Sequence, residues 1–147
     1  MVRVELSHRF ATPLQSGFDY ITDIDNWPEY WPGLVRVAPG SRWATPGDTA
    51  TLAMRLLGRE VELVLTLREL EPHKVVAYTS VQEGLPEARH ERHFAAAAGG
   101  FDYRLVVDYE PRSGLRGLLI DRLMLRRGVA RAMRRTVENL ERRLPTS

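Results

Sequence analysis

The sequence predicts an α+β domain in which a curved antiparallel sheet of about seven strands wraps one long C-terminal helix, with two short helices after the first strand. Three observations carry this expectation. Residues 2–10 alternate apolar and polar with period two, glycine and proline signals divide residues 34–110 into runs of about ten residues, and the apolar positions from Leu118 to Leu144 recur at helical spacing. At 147 residues the chain reads as one domain spanning 1–147, long enough to bury a sizeable core, with neither internal repeat nor low-complexity linker.

The elements follow in order. Val2 to Phe10 is a strand with one buried face. Thr12 suits an N-cap and Pro13 a first helical position, so 13–22 reads as a helix. A second, shorter helix is expected over 26–31, capped by Asp25 or Asn26, with Pro28 in its first turn and Pro32 stopping it. It sets Trp27, Tyr30 and Trp31 at i, i+3 and i+4, an aromatic face that must cover something apolar. Strands are expected near 34–38, 48–57, 60–70, 74–82, 87–96 and 101–110. Val61, Leu63, Leu65 and Leu67 share the inward side of one; Phe101, Tyr103, Leu105, Val107 and Tyr109 share that of the last. After Pro111–Gly114 the apolar stripe Leu118, Arg122 or Leu123, Leu125, Val129, Ala132 or Met133, Val137, Leu140 and Leu144 marks a helix that Pro145 ends.

Composition excludes several function classes. With 44% hydrophobic and 27% charged residues the chain is globular, and no apolar run approaches the ~18 residues of a membrane span. No signal peptide is legible, so a cytoplasmic, soluble protein is expected. The absence of cysteine removes disulfide and thiolate chemistry. Residues 115–143 hold nine arginines against three acidic residues, a local +6 that leaves −4 for the remainder of a chain whose total is +2. Twenty of the 21 basic residues are arginine, a bias that fits the codon usage of a GC-rich, for instance bacterial, genome as well as any function. The arginine-rich helix nevertheless supports a rival reading, binding to an anionic surface such as RNA or membrane headgroups. Scattered basic residues without interleaved exposed aromatics argue for solubility instead, and no nucleic-acid partner is expected.

The segment Ile21-Thr22-Asp23-Ile24-Asp25-Asn26-Trp27-Pro28-Glu29-Tyr30-Trp31-Pro32, the Leu70-Glu71-Pro72 turn and the long terminal helix together resemble the polyketide cyclase/dehydrase and lipid-transport superfamily, the START-like (SRPBCC) proteins. The resemblance implies the helix-grip fold, with an apolar cavity between sheet and C-terminal helix. It implies a hydrophobic or aromatic small-molecule ligand, polyketide-like or lipid-like; the alternative is an aromatase/cyclase or dehydrase acting on a poly-β-ketone chain. No cofactor is implied, and a homodimer is left open.

The candidate ligand-binding residues are Trp27, Tyr30, Trp31, Leu63, Leu65, Leu67, Tyr78, His90, Arg92, Phe94, Tyr103 and Met124. Cyclisation needs a group to enolise a carbon between carbonyls and a donor to hold the enolate. The leucines of 60–70 leave no inward arginine on that strand unless a one-residue register shift brings in Arg68. His90, Arg92 and Phe94 share a face of the next strand but one, taken as inward. His90 and Arg92 are therefore the candidate catalytic groups, with His90 kept neutral by burial and by the adjacent cation. The plainer account lets both side chains reach solvent near the pocket mouth. No metal is expected: His90 and His93 point to opposite faces of a strand, and capping and solvation account for Asp19, Asp23 and Asp25. No nucleophile elbow, phosphate-binding glycine loop or dinucleotide fingerprint occurs.

Overall fold

The computed structural model describes residues 1–56, 58–83, 85–110 and 124–145. Seven antiparallel strands form one sheet in the order β1-β7-β6-β5-β4-β3-β2. They are β1 (Val2–Phe10), β2 (Leu34–Val37), β3 (Thr49–Leu56), β4 (Arg59–Glu71), β5 (Val75–Gln82), β6 (Ala88–Ala97) and β7 (Gly100–Tyr109). The first strand pairs with the last, Val2 opposite Tyr109 and Phe10 opposite Phe101, and the other neighbours are consecutive. Helices α1 (Leu14–Thr22) and α2 (Trp27–Tyr30) follow β1, joined by a 3₁₀ turn (Ile24–Asn26), and α3 (Arg126–Arg143) closes the chain. The expected Pro111–Gly114 turn and the part of the last helix at Arg116, Leu118, Asp121, Arg122 and Leu123 lie outside the described residues.

Inward residues follow the alternation read from the sequence. Leu63, Leu65 and Leu67 are buried, as are Phe101, Tyr103, Leu105, Val107 and Tyr109. A β-bulge falls between Leu67 and Glu69, yet Arg68 stays outside and bonds Thr79 Oγ1 with its Nε at 3.3 Å. The bulge therefore does not bring an arginine into the interior from β4. On α3 the buried residues Met133, Thr136, Val137 and Leu140 recur at helical spacing and face the sheet.

The capping residues differ from those expected. Thr12 does not cap α1: its hydroxyl donates to Pro145 O, tying the first helix to the end of the last, and Pro13 stands at the cap with extended backbone. Asp23, not Asp25 or Asn26, accepts from a turn amide, that of Asp25 at 3.1 Å. The reason is conformational, since Asp23 has the extended backbone an N-cap requires whereas Asn26 is already helical. Asn26 instead donates to Tyr20 O. The second helix is also shorter than 26–31, because Trp31 turns to extended backbone and Gly33 takes φ 81°, a left-handed conformation that glycine adopts without strain.

The interior is filled at one end. Phe10, Phe94, Phe101 and Tyr103 form a continuous ring cluster with centroid separations of 5.2 to 6.1 Å. Helix α1 lies close over it at Gly17, where a Cβ would stand 2.2 Å from Phe101 Cε1. Only a residue without a side chain allows that approach.

Candidate functional site

At the other end the sheet and α3 leave a cavity of about 400 Å³, within the range of small-molecule sites. The sheet supplies Met54 and Leu63, then Ser80, His90, Leu105 and Val107; Leu125, just before α3, and Gly128, Val129, Ala132, Met133 and Thr136 on it supply the other wall. Both walls follow from periodicity, even positions on β5 and odd ones on β7 facing one way, and every third or fourth residue of α3 facing the sheet.

Polar groups gather where the hollow meets the packed interior. Arg92 is 3% exposed, and its guanidinium lies 4.3 Å from the centroid of Trp27, with Tyr30, Trp31 and Tyr78 also within 6 Å. Its Nη1 donates to Tyr30 Oη at 2.5 Å; Nη2 and Nε donate to Tyr78 Oη at 2.9 and 3.2 Å. Tyr30 passes its own hydrogen to Ile21 O, which also accepts from Trp27 Nε1, so the box is anchored to the end of α1. Asn139 of α3 donates to Tyr30 O.

A buried guanidinium pays several kcal/mol of lost hydration. Cation–π contacts return about 0.5–2 kcal/mol each and hydrogen bonds to a charged group about 1.5–3, so the aromatic box offsets the desolvation without an anion. Burial holds the Tyr30 phenol well above its ordinary pKa, raises that of Tyr78 and pushes Tyr103 up to about 12. All three phenols are thus neutral near pH 7. Although burial opposes the cation, the oxygens around it keep Arg92 protonated, and no described carboxylate forms an ion pair with it.

His90 stacks on Tyr78 at 4.7 Å between centroids, 8° from parallel. Its Nε2 lies 2.9 Å from Ser80 Oγ. Burial first, and the neighbouring Arg92 second, push its pKa down to about 3. The expectation of a neutral imidazole beside a cation agrees with this.

The candidates from the sequence divide into three groups. Trp31, Leu63, Tyr78, His90 and Arg92 line the cavity. Trp27, Tyr30, Leu65, Leu67, Phe94 and Tyr103 are buried in the solid core; Trp27 and Tyr30 reach the site through Arg92. Met124 is 69% exposed and is not part of the wall. Sequence reasoning did not single out Ser80, Met54 or Trp43, whose ring packs on Trp27 and Tyr78. For Ser80 a signal existed, since it stands two positions from Tyr78 on one strand. The α3 arginines 126, 127, 131, 134, 135, 142 and 143 are exposed and form no ion pair among the described residues. No described cluster of histidine and carboxylate suits a metal, and no described helix is long and apolar enough to cross a membrane.

A seven-stranded sheet gripping a terminal helix, with a cavity between them, defines a START-like helix-grip domain. The chain belongs to the polyketide cyclase / dehydrase and lipid transport family, whose model matches residues 1–145. Its fold is shared with a START superfamily protein from Mycobacterium smegmatis (TM-score 0.77, 10% identity, covering 97% of this chain and 96% of that one). It is shared also with the Zhui aromatase/cyclase from Streptomyces sp. R1128 (0.70, 15% identity, 96% and 94%). A protein from Chromobacterium violaceum gives 0.77 at 14% identity, covering 98% of each chain. At these identities the likeness concerns the fold alone. Among curated proteins none matches the chain.

Proposed function

We propose that the chain is a binding protein for a hydrophobic or aromatic small molecule, lipid-like or polyketide-like, held between the sheet and α3. The observation that carries this reading is the cavity itself, about 400 Å³ with a largely apolar wall between sheet and α3. The half-buried His90 on that wall, with its pKa pushed down to about 3, agrees with it. A general base works best with a pKa near the working pH. An imidazole this weakly basic is poorly suited to enolise a β-ketone, and suits orienting a ligand through Ser80 and Tyr78. Native mass spectrometry of protein purified from its own host tests the reading. A stoichiometric small molecule that leaves unchanged on denaturation is the expected result, and repeated isolation of empty protein that takes up no apolar probe would overturn it.

The row Ser80, His90 and Arg92 along one wall favours a second reading, a cyclase or dehydrase of poly-β-ketone chains. The two separate on turnover. A cyclase converts a β-ketone chain and loses that conversion in His90→Ala and Arg92→Ala, whereas a carrier returns the chain unaltered.

A further inference from the structure

The junction between hollow and packed interior has a surplus of hydrogen-bond donors. Nε, and one hydrogen each of Nη1 and Nη2, meet phenol oxygens; each Nη keeps a second hydrogen. Tyr78 Oη receives two of those bonds, and its own hydrogen has no acceptor among the described residues. Tyr103 Oη lies in the field of the same guanidinium, buried and without a hydrogen-bond partner of ordinary geometry. Arg92 and Tyr78 both face the cavity. Phenol oxygens, that of Tyr103 among them, take up part of this surplus, but no described carboxylate nearby supplies a negative charge.

We propose that the molecule held in the cavity is an amphipathic monocarboxylate, acyl or aryl, whose carboxylate is received by the Arg92 guanidinium and the Tyr78 hydroxyl. This rests on the cavity being a ligand site and narrows the ligand class. A carboxylate brings acceptor oxygens and a full charge, and no donor that would compete with those already present. An alcohol of the same length brings one oxygen, a further donor and no charge. The apolar tail runs between Leu63, Leu105 and Val107 on the sheet and Val129, Ala132 and Met133 on α3.

Calorimetric titration at pH 7.5 with dodecanoate and with dodecan-1-ol, two probes sharing one tail, tests the assignment. The protein is expected to bind dodecanoate at least about ten-fold more tightly, a difference of ~1.4 kcal/mol. Arg92→Met and Tyr78→Phe should each bring the two affinities together. The second substitution keeps the ring that packs on Trp27 and His90, so the test survives if the first unfolds the chain. Equal binding of both probes by the unaltered protein, or a preference that persists in Tyr78→Phe and in folded Arg92→Met, overturns the carboxylate assignment while leaving the cavity reading intact. Binding of neither probe overturns the cavity reading itself, and the assignment with it.

Discussion

The two ends of the interior are built from the same strands and obey the same alternation, yet one is solid and the other hollow. Along β7, Phe101 is packed from above by α1 and Tyr103 sits in the ring cluster, whereas Leu105 and Val107 face the cavity. Along β6 the change falls within three successive inward residues: Phe94 in the ring cluster, Arg92 at the junction, His90 on the cavity wall. Alternation decides which way a side chain points. Whether anything meets it is decided by the other layer, here α1 and the C-terminal half of α3 over one end and the N-terminal half of α3 over the other.

Substitution should break this contrast most severely at the solid end. Phe101→Ala removes a fully buried ring beneath α1, and a loss of ~3–5 kcal/mol is expected in urea unfolding; a loss below ~1 kcal/mol would mean that end is not close-packed. At the junction, Tyr30→Phe deletes the hydroxyl that joins Arg92 to Ile21 O. It leaves a buried guanidinium N–H without its partner, while Ile21 O keeps Trp27 Nε1, for an expected ~1–3 kcal/mol by the same measurement.

The histidine adds a test in pH. Its folded pKa of about 3 lies below the unfolded value of 6.5, so between those values the unfolded chain binds the extra proton. Stability from this source is complete above pH 6.5 and falls as the pH is lowered towards 3, by at most ~1.4 kcal/mol per unit. Denaturation midpoints across pH 4–7 should therefore flatten in His90→Gln relative to the parent; an identical slope in both would place His90 in contact with bulk water. Ala132→Phe, on the hollow end, should cost less than the ~1–3 kcal/mol that added bulk costs in a filled core, yet abolish uptake of apolar probes. If it destabilises as much as Phe101→Ala, the hollow is not there to be filled.

The same contrast explains how much was legible in advance. The strands and their facing were readable from β4 and β7, because Leu63, Leu65 and Leu67, and Phe101 through Tyr109, report a period of two directly. The neutral state of His90 was readable because it follows from burial on the inward face and from Arg92 two residues away on that same face. The caps were not, since Thr12 and Asp25 both suit an N-cap; only the backbone angles, and a carbonyl contributed by Pro145, decide which side chain serves. Nor could spacing show that Leu65 and Leu67 end in solid core while Leu63 borders the cavity. That depends on where α1 and the two halves of α3 lie over the sheet. Ser80 went unnoticed for a related reason: its partner His90 lies on the neighbouring strand, two residues beyond the pairing of Ser80 with Ala88, a juxtaposition that register creates.

The pairing of β1 with β7 has a consequence for how the molecule comes into being. Val2–Phe10 leaves the ribosome about ninety residues before Gly100–Tyr109, the strand on which it docks. Until then the nascent polypeptide presents a bare strand with an apolar face, and closure of the sheet is a non-local step of the slow kind. A fragment ending before residue 100 would lack the strand that joins β1 to the rest, and should be found with chaperones or in inclusion bodies.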